Sequence, residues 1–208
     1  MMKMGNFQNK EMWKIFIVLS RWSMKKIYEY AHDWIEKSVN NNDIVVDFTM
    51  GNGNDTLRLA KMVPNGKVYG FDIQEKALNT TKEKLEKEGI TNYELILDSH
   101  IFMNQYINKY KAGIFNLGYL PSGDKSITTK KKTTKLAVMH ALDLLEVKGI
   151  LAIVVYPGHA EGKLESQMLE AFVSELDNQD FDVMKLSVKN KKNAPYILII
   201  EKNRPITF

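Results

Sequence analysis

The chain lacks cysteine altogether, and only four of its 208 residues are histidine. Without cysteine there is no disulfide bond, no thiolate metal ligand and no cysteine nucleophile. The histidines, at positions 32, 100, 140 and 159, show no spacing typical of metal ligands, so the sequence predicts no metal site. The absence of cysteine is typical of reducing compartments, and we expect a cytoplasmic protein.

The chain also lacks an apolar run long enough to cross a bilayer. The run near its beginning, Ile15 to Leu19, is far shorter than the ~20 residues of a transmembrane helix, and no small-residue cleavage site follows it. We therefore expect neither a membrane anchor nor a signal peptide. We interpret residues 1–23 as an accessory N-terminal extension. Residues 24–208 are expected to form one domain, because a hydrophobic content of 44% allows one sizeable core.

The order of the predicted elements is typical of a doubly wound α/β fold. Helical patterns alternate with strand patterns, which fall at 44–48, 67–72, 93–97, 112–116, 150–156, 181–188 and 195–201. The helical patterns fall at 24–39, 55–62, 75–87, 101–110, 133–145 and 164–176. This alternation predicts a Rossmann-like, mostly parallel seven-stranded sheet whose last two strands form an antiparallel edge hairpin. Ligands of such sheets bind at the carboxyl ends of the strands.

The most informative motif, Asp47-Phe48-Thr49-Met50-Gly51-Asn52-Gly53, follows the first strand. Glycines there permit a tight turn and let a ligand approach the backbone at the start of a helix. A dinucleotide fingerprint requires a third glycine, but Thr56 occupies that position. The pattern Asp-x-x-x-Gly-x-Gly is instead typical of class I methyltransferases that use S-adenosylmethionine (SAM). Asp72, which ends the second strand, is placed to accept both ribose hydroxyls.

Further polar residues stand near the ends of other strands. Asp98, after the third strand, either accepts the adenine amine of SAM or caps the next helix, and the sequence leaves both open. Asp55 and Thr56 are expected to act mainly as first-turn residues of the helix that follows the glycine loop. His159, after the fifth strand, is a candidate base, a candidate RNA contact or an ordinary surface histidine.

Asn116 ends an otherwise apolar fourth strand and is followed by Tyr119. The pair resembles the Asn/Asp-Pro-Pro-Tyr loop of amino-group methyltransferases, although Leu117 and Gly118 replace both prolines. In that loop the Asn oxygen accepts a hydrogen from the target amine, so that the lone pair of the amine can attack in line, and the aromatic ring stacks on the base. We therefore predict an amine as the methyl acceptor.

Two basic clusters complete the pattern, in a chain of net charge +4. The first contains Lys125, Lys130, Lys131, Lys132 and Lys135, and the second contains Lys189, Lys191 and Lys192. Such runs usually form solvated surface, but beside a methyl-acceptor pocket they suit phosphate contacts with RNA.

From about Met24 to Lys202 the chain resembles the YtqB-like rRNA methylases, a family associated with the tRNA wobble-uridine methyltransferase MnmM. The motifs that carry the resemblance are Met50 to Leu57, Phe71-Asp72-Ile73-Gln74, Asp98-Ser99-His100, Phe115-Asn116-Leu117-Gly118-Tyr119-Leu120-Pro121, Tyr156-Pro157-Gly158-His159 and Asn193-Ala194-Pro195. Asn54 and Ser122 depart from the family pattern, which often has histidine and glycine there.

The resemblance implies SAM-dependent methylation of the 5-aminomethyl group of 2-thiouridine at the wobble position of tRNA, with the anticodon region as partner. It implies a SAM site formed by Asp47, Thr49, Gly51, Asn52, Gly53, Asp55, Thr56, Asp72, Ile73, Gln74, Asp98, Ser99, His100 and Asn116. Catalytic candidates are Asn116, Tyr119, Asp124 and His159, of which either Asp124 or His159 could assist deprotonation of the amine. RNA-binding candidates are Tyr119, Lys125, Lys130, Lys131, Lys132, Tyr156 and His159.

Alternative functions stay open at this point. A methyltransferase of rRNA or of a small amine would keep the acids and the glycines but would not need the basic clusters. A non-catalytic RNA-binding module and a nicotinamide oxidoreductase fit the motifs less well, the first because the acids and glycines are intact and the second because the third glycine is missing. The sequence is compatible with a homodimer and does not fix the oligomeric state.

Overall fold

The computed structural model describes residues 24–118 and 131–205. Seven strands form one sheet: β1 (Ile44–Asp47), β2 (Lys67–Asp72), β3 (Tyr93–Leu97), β4 (Tyr110–Asn116), β5 (Leu145–Val155), β6 (Phe181–Ser187) and β7 (Tyr196–Lys202). The helices are α1 (Ile27–Ser38), α2 (Asn54–Met62), α3 (Glu75–Lys87), α4 (Lys131–Leu144) and α5 (Ala160–Ser174), with a 3₁₀ helix at His100–Gln105. The predicted extension, residues 1–23, lies outside the described residues.

The strand order is β3-β2-β1-β4-β5-β7-β6. Strands β1 to β5 pair in parallel, and β7 runs antiparallel between β5 and β6. The predicted mostly parallel sheet with a C-terminal antiparallel hairpin at its edge is therefore confirmed. Because β7 is reversed, the turn 188–195 lies at the same edge of the sheet as the carboxyl ends of β1 to β5.

Both faces of the sheet are covered, which explains why its central strands are continuous apolar runs. On one face, Leu151 and Ile153 of β5 pack in a cluster that includes Ala137 of α4 and Leu169 of α5. On the other face, β5 packs in a second cluster with side chains of α1 and α2, among them Ile35. The sheet is thus a rigid platform whose carboxyl edge presents the loops.

Several element boundaries differ from the predicted ones, and the largest differences are at the end of the helix predicted at 101–110 and at the start of β5. The helix expected at 101–110 is a 3₁₀ helix that ends at Gln105, and Tyr110 already belongs to β4. Tyr110 is fully buried and its hydroxyl donates to the Ala141 carbonyl at 2.8 Å, which fixes it beneath α4. Strand β5 begins at Leu145 rather than 150, because Tyr110 pairs with Leu145 ahead of a register shift. Within the described ranges, no helix is both long and apolar enough to cross a membrane.

Candidate active site

A cavity of about 820 Å³ opens at the carboxyl edge of the sheet. This volume is adequate for a ligand of nucleoside size or larger. The cavity is lined by parts of every polar motif that the sequence analysis placed at this edge and that the structure describes. Among the predicted cofactor residues it is lined by Thr49, Gly51, Asn52, Asp55, Asp72, Ile73, Gln74, Asp98, Ser99, His100 and Asn116.

The glycine loop is held between β2 and helix α3. The Met50 amide donates to the Phe71 carbonyl at 3.0 Å, and Gly53 adopts a left-handed φ of 71° as the residue that precedes α2. A Cβ on Gly53 would come within 2.7 to 2.9 Å of Thr81 on α3. Glycine is therefore required at this position both by its backbone conformation and by the close approach of α3.

Three of the predicted cofactor residues support the loop instead of lining the cavity. Asp47 and Thr56 are fully buried, and the Thr56 hydroxyl donates to the Asp47 carboxylate at 2.6 Å. The other Asp47 oxygen accepts the Thr49 amide at 3.1 Å. Gly53 is likewise not part of the cavity lining. Contact of these three residues with a cofactor stays a prediction, and in the structure the polar groups of Asp47 and Thr56 are turned toward the loop itself.

Burial has a strong effect on the Asp47 carboxyl group. Burial, together with the nearby Asp55 carboxylate, raises the pKa of Asp47 from its usual 3.8 to about 7, against the hydrogen bond from Thr56. Asp55 and Thr56 lie in the first turn of α2, as expected, but neither side chain caps the helix. Gly53 precedes α2 without any side-chain cap, and both side chains bond to other residues of the site.

Asp72 is placed as expected for a ribose acceptor. One carboxylate oxygen accepts the Gly51 amide at 3.1 Å and the other accepts the Gln74 amide at 2.9 Å. Burial raises the pKa of Asp72, and these backbone donors oppose that shift. The Ile73 backbone N–H also interacts with this carboxylate, and since a carboxylate has about four acceptor positions, capacity for a ligand hydroxyl is left. Beside it Ile73, which is 61% exposed, offers an apolar surface within the cavity.

The segment after β3 separates the two roles proposed for Asp98. The 3₁₀ helix is capped by Ser99, whose hydroxyl accepts the Ile101 amide at 3.4 Å. Asp98 accepts the Ser99 amide at 2.7 Å and the Tyr106 hydroxyl at 2.8 Å, and it also lines the cavity. Capping therefore belongs to Ser99, and the role of ligand acceptor stays with Asp98.

His100 is a neutral wall residue of the cavity. Its Nδ1 lies 2.9 Å from the Phe48 carbonyl, and because a carbonyl only accepts, Nδ1 carries the proton. Burial lowers the pKa of His100, so the ring is uncharged at neutral pH. The ring meets Phe115 edge-on at 5.4 Å, and Phe115 stacks on Phe48 at 4.3 Å. The cavity thus rests on an aromatic cluster.

Asn116 is fixed through both its backbone and its side chain. Its amide N–H donates to the Thr49 hydroxyl at 2.7 Å, which joins the end of β4 to the glycine loop. Its side-chain Nδ2 donates to Asp55 at 3.1 Å. The other predicted residues of this region, Tyr119, Asp124, Lys125 and Lys130, lie outside the described residues, as do the side chains of Lys131 and Lys132.

His159 and Tyr156 both line the cavity. His159 caps α5, because its Nδ1 accepts the Gly162 amide at 3.0 Å. Burial raises the pKa of Tyr156 to about 12, and the Asp55 charge adds to the shift. The catalytic role of His159 stays a prediction, and a contact with substrate is compatible with its position.

Sequence reasoning did not place the turn 188–195 in the site. Asn193 and Pro195 line the cavity, and Asn193 has a left-handed φ of 52°. The sequence could have predicted this position, because the turn of a hairpin that follows a fifth parallel strand lies at the carboxyl edge of the sheet. Among the described residues no group of three or more histidine or acidic side chains is arranged to hold a metal ion.

Comparison with known proteins agrees with this geometry. A family model described as "Putative rRNA methylase" matches residues 68–202. A tRNA (mnm⁵s²U34)-methyltransferase from Arabidopsis thaliana, described as chloroplastic, is 37% identical over 86% of this chain and 70% of its own length. A crystal structure of a Clostridium thermocellum protein described as a "putative rRNA-methylase" superposes with a TM-score of 0.84 at 42% identity, over 86% of this chain and 99% of the other.

A second solved structure concerns the cofactor. A Streptococcus mutans protein described as a "putative methyltransferase" was solved in complex with S-adenosylhomocysteine (SAH), the demethylated form of SAM. It is 42% identical and has a TM-score of 0.80, over 86% of this chain and 99% of the other. The resemblance inferred from the motifs is confirmed, and the chain belongs to the rRNA methylase family of class I SAM-dependent methyltransferases.

Proposed function

We propose that this chain transfers the methyl group of SAM to the 5-aminomethyl group of (2-thio)uridine at tRNA wobble position 34, which yields the 5-methylaminomethyl nucleoside. The observation that carries the proposal is the position of Asn116. Its side-chain amide is held at the cavity wall, where its oxygen can accept a hydrogen bond from the methyl-acceptor amine. The Arabidopsis relative, named for this wobble nucleoside, supports the choice of substrate.

The residues present fit SAM. Asp72 keeps acceptor capacity for the ribose, and Ile73 offers an apolar face for the adenine ring. Asp98 is available for the exocyclic amine of adenine. SAM supplies an electrophilic methyl group on a positively charged sulfur, and the carboxylates Asp72 and Asp98 in the wall favour a cationic ligand electrostatically.

The turn 188–195 supports RNA as the partner. Lys189, Lys191 and Lys192 are exposed on the same turn that contributes Asn193 and Pro195 to the cavity wall. Lysines at the rim of a methyl-acceptor cavity can contact the phosphates on either side of an inserted nucleotide. The other predicted basic segment connects Gly118 to Thr133, which both line the cavity.

The decisive experiment is nucleoside mass spectrometry with methyl-deuterated SAM. Transfer RNA that carries 5-aminomethyl-2-thiouridine is incubated with the protein and then digested. The expected result is a deuterated methyl on that nucleoside alone. The absence of label there, with label on rRNA or on a small amine instead, would refute the substrate assignment and keep the methyltransferase assignment.

Salt dependence tests the RNA surface separately. Replacement of Lys189, Lys191 and Lys192 by Gln should weaken tRNA binding and lower the slope of log affinity against log salt by about 0.7 per lost phosphate contact. The control is Lys109→Gln, because Lys109 is an exposed lysine before β4 at the opposite edge of the sheet. If Lys109→Gln weakens tRNA binding as much as each replaced lysine of the turn does, the turn has no special role in binding.

A cytoplasmic location and a homodimer stay predictions for this chain. The Arabidopsis relative is described as chloroplastic, so fractionation of cells that express the protein is the direct test of its compartment.

A further inference from the structure

We infer that Asp55, supported from behind by His32, is a positioning residue that fixes which end of the Asn116 amide faces the acceptor amine. The inference rests on the proposed amine methylation. Asp55 is the second residue of α2, and its Oδ2 accepts Asn116 Nδ2 at 3.1 Å. Its Oδ1 lies 2.8 Å from His32 Nε2 on α1. The three side chains therefore form a row from the buried face of α1 to the cavity wall.

The chemistry of the carboxylate sets the orientation of the amide. The two ends of an asparagine amide have nearly the same shape, so packing alone does not distinguish oxygen from nitrogen. An ionised carboxylate only accepts hydrogen bonds, so Asp55 selects the orientation in which the Asn116 NH₂ group faces it. Oδ1 is then the end left for the hydrogen of the acceptor amine. A neutral amide in place of Asp55 could bond either end and would lose this selection.

His32 is the second observation that points to this unit. It is 3% exposed, and neither ring nitrogen has a directed hydrogen bond to any of the described residues. His32 Nε2 lies 2.8 Å from Asp55 Oδ1, but the N–H bond does not point at that oxygen. The contact is therefore electrostatic and not a hydrogen bond. A buried imidazole without a hydrogen-bond partner lowers the stability of the fold, so such a group calls for a functional explanation. Here it closes the rear side of Asp55 and prevents that carboxylate from turning away from Asn116.

Charge movement in the reaction gives Asp55 a second effect. As the amine nitrogen forms its bond to the methyl carbon, the carbon–sulfur bond breaks and its electron pair stays on sulfur, so SAH leaves neutral. The positive charge moves from sulfur to the amine, which becomes a secondary ammonium bonded to Asn116. A fixed negative charge one hydrogen bond beyond Asn116 favours that movement more in the transition state than in the ground state.

A double-mutant cycle tests whether Asp55 acts through Asn116. Asp55→Asn should lower kcat for tRNA methylation about 10- to 100-fold and leave the Kd for SAM within about twofold, since one preorganised electrostatic contact is worth this much. In the Asn116→Ala background the same change should have no further effect. Additive losses, or a Kd for SAM that rises in parallel with the loss of kcat, would overturn the positioning role and favour direct cofactor binding.

A second measurement does not depend on the substrate being correct. The side-chain NH₂ resonances of Asn116, identified by their loss in Asn116→Ala, should move upfield in Asp55→Asn and less so in His32→Phe. Asp98→Asn is the control, because it neutralises another carboxylate of the cavity wall without a bond to Asn116. Unchanged resonances in Asp55→Asn would overturn the inference. If the wild-type protein fails to methylate the tRNA while these shifts appear, only the proposed substrate is wrong.

Discussion

Replacement of Gly53 by alanine should damage the glycine loop more than its backbone conformation alone predicts. At a φ of 71° an alanine costs about 1–2 kcal/mol relative to glycine. The new Cβ would also lie 2.7 Å from Thr81 Oγ1, 2.8 Å from its Cγ2 and 2.9 Å from its Cα. Overpacking of this kind costs about 1–3 kcal/mol more, so we expect a total loss of about 2–5 kcal/mol in the free energy of unfolding.

Gly89 provides a matched control in the same molecule. Its φ is 68°, almost the same as that of Gly53, but a Cβ there would meet no atom within 4 Å. Gly89→Ala should therefore cost only the conformational 1–2 kcal/mol. Urea unfolding of both variants, with the linear extrapolation to water, isolates the contribution of the close approach as their difference.

The same pair of variants separates stability from function. Thr81 also donates to the Gly51 carbonyl at 3.2 Å, and the Gly51 amide binds Asp72. A displaced Thr81 should therefore disturb the ribose acceptor, and we expect calorimetry to show at least about tenfold weaker SAM binding for Gly53→Ala, equivalent to ~1.4 kcal/mol. Gly89→Ala should bind SAM normally. Equal losses of stability in the two variants, or normal SAM binding by Gly53→Ala, would refute the reasoning.

Other predictions concern buried charges. Asp72→Ala should weaken SAM binding about 10- to 100-fold by calorimetry, because it removes an ionised acceptor, and an unchanged Kd would contradict the ribose assignment. Asp47 has its folded-state pKa raised from 3.8 to about 7, so its contribution to stability falls as pH rises from about 4 to 7, by at most ~4 kcal/mol. The free energy of unfolding of the wild type minus that of Asp47→Asn should therefore decrease across this window, and a pH-independent difference would argue against the raised pKa. Lys202→Met should cost about 1–3 kcal/mol in thermal or urea unfolding and leave the Kd for SAM unchanged, because buried Lys202 donates to the Leu142 and Asp143 carbonyls at 3.0 and 3.1 Å.

The sequence predicted the fold and the place of the site because both follow from local patterns. Apolar strands alternating with helices define the parallel sheet, and parallel strands bring Asp72, Asp98 and Asn116 to one edge. It did not predict that Asp47 and Thr56 face each other beneath the loop. A motif shows which residues stand near a ligand, but the direction of each side chain depends on packing against α2 and β4.

The contribution of α1 to the site could not be predicted from the sequence either. His32 stands in an amphipathic helix that precedes the first strand, 23 positions from its partner, and nothing in its spacing marks it as a site residue. Its approach to Asp55 arises because α1 packs on the same face of the sheet as α2. In contrast, the position of the turn 188–195 at the cavity could have been predicted from the sequence, because β7 was expected to run antiparallel.

The charges of the site are divided between its wall and its rim, and this division bears on how a nucleotide would enter. Asp55, Asp72 and Asp98 line the cavity, while Lys189 and its neighbouring lysines stand on the turn at its edge. Carboxylates repel phosphates and attract cations, so under the proposed function the RNA backbone is held at the rim and an uncharged base with its cationic aminomethyl group goes inward. Single-stranded anticodon nucleotides can be turned out at low cost in stacking energy. The same carboxylates attract the aminomethyl group in its cationic form, which must lose its proton before its lone pair can attack the methyl group of SAM.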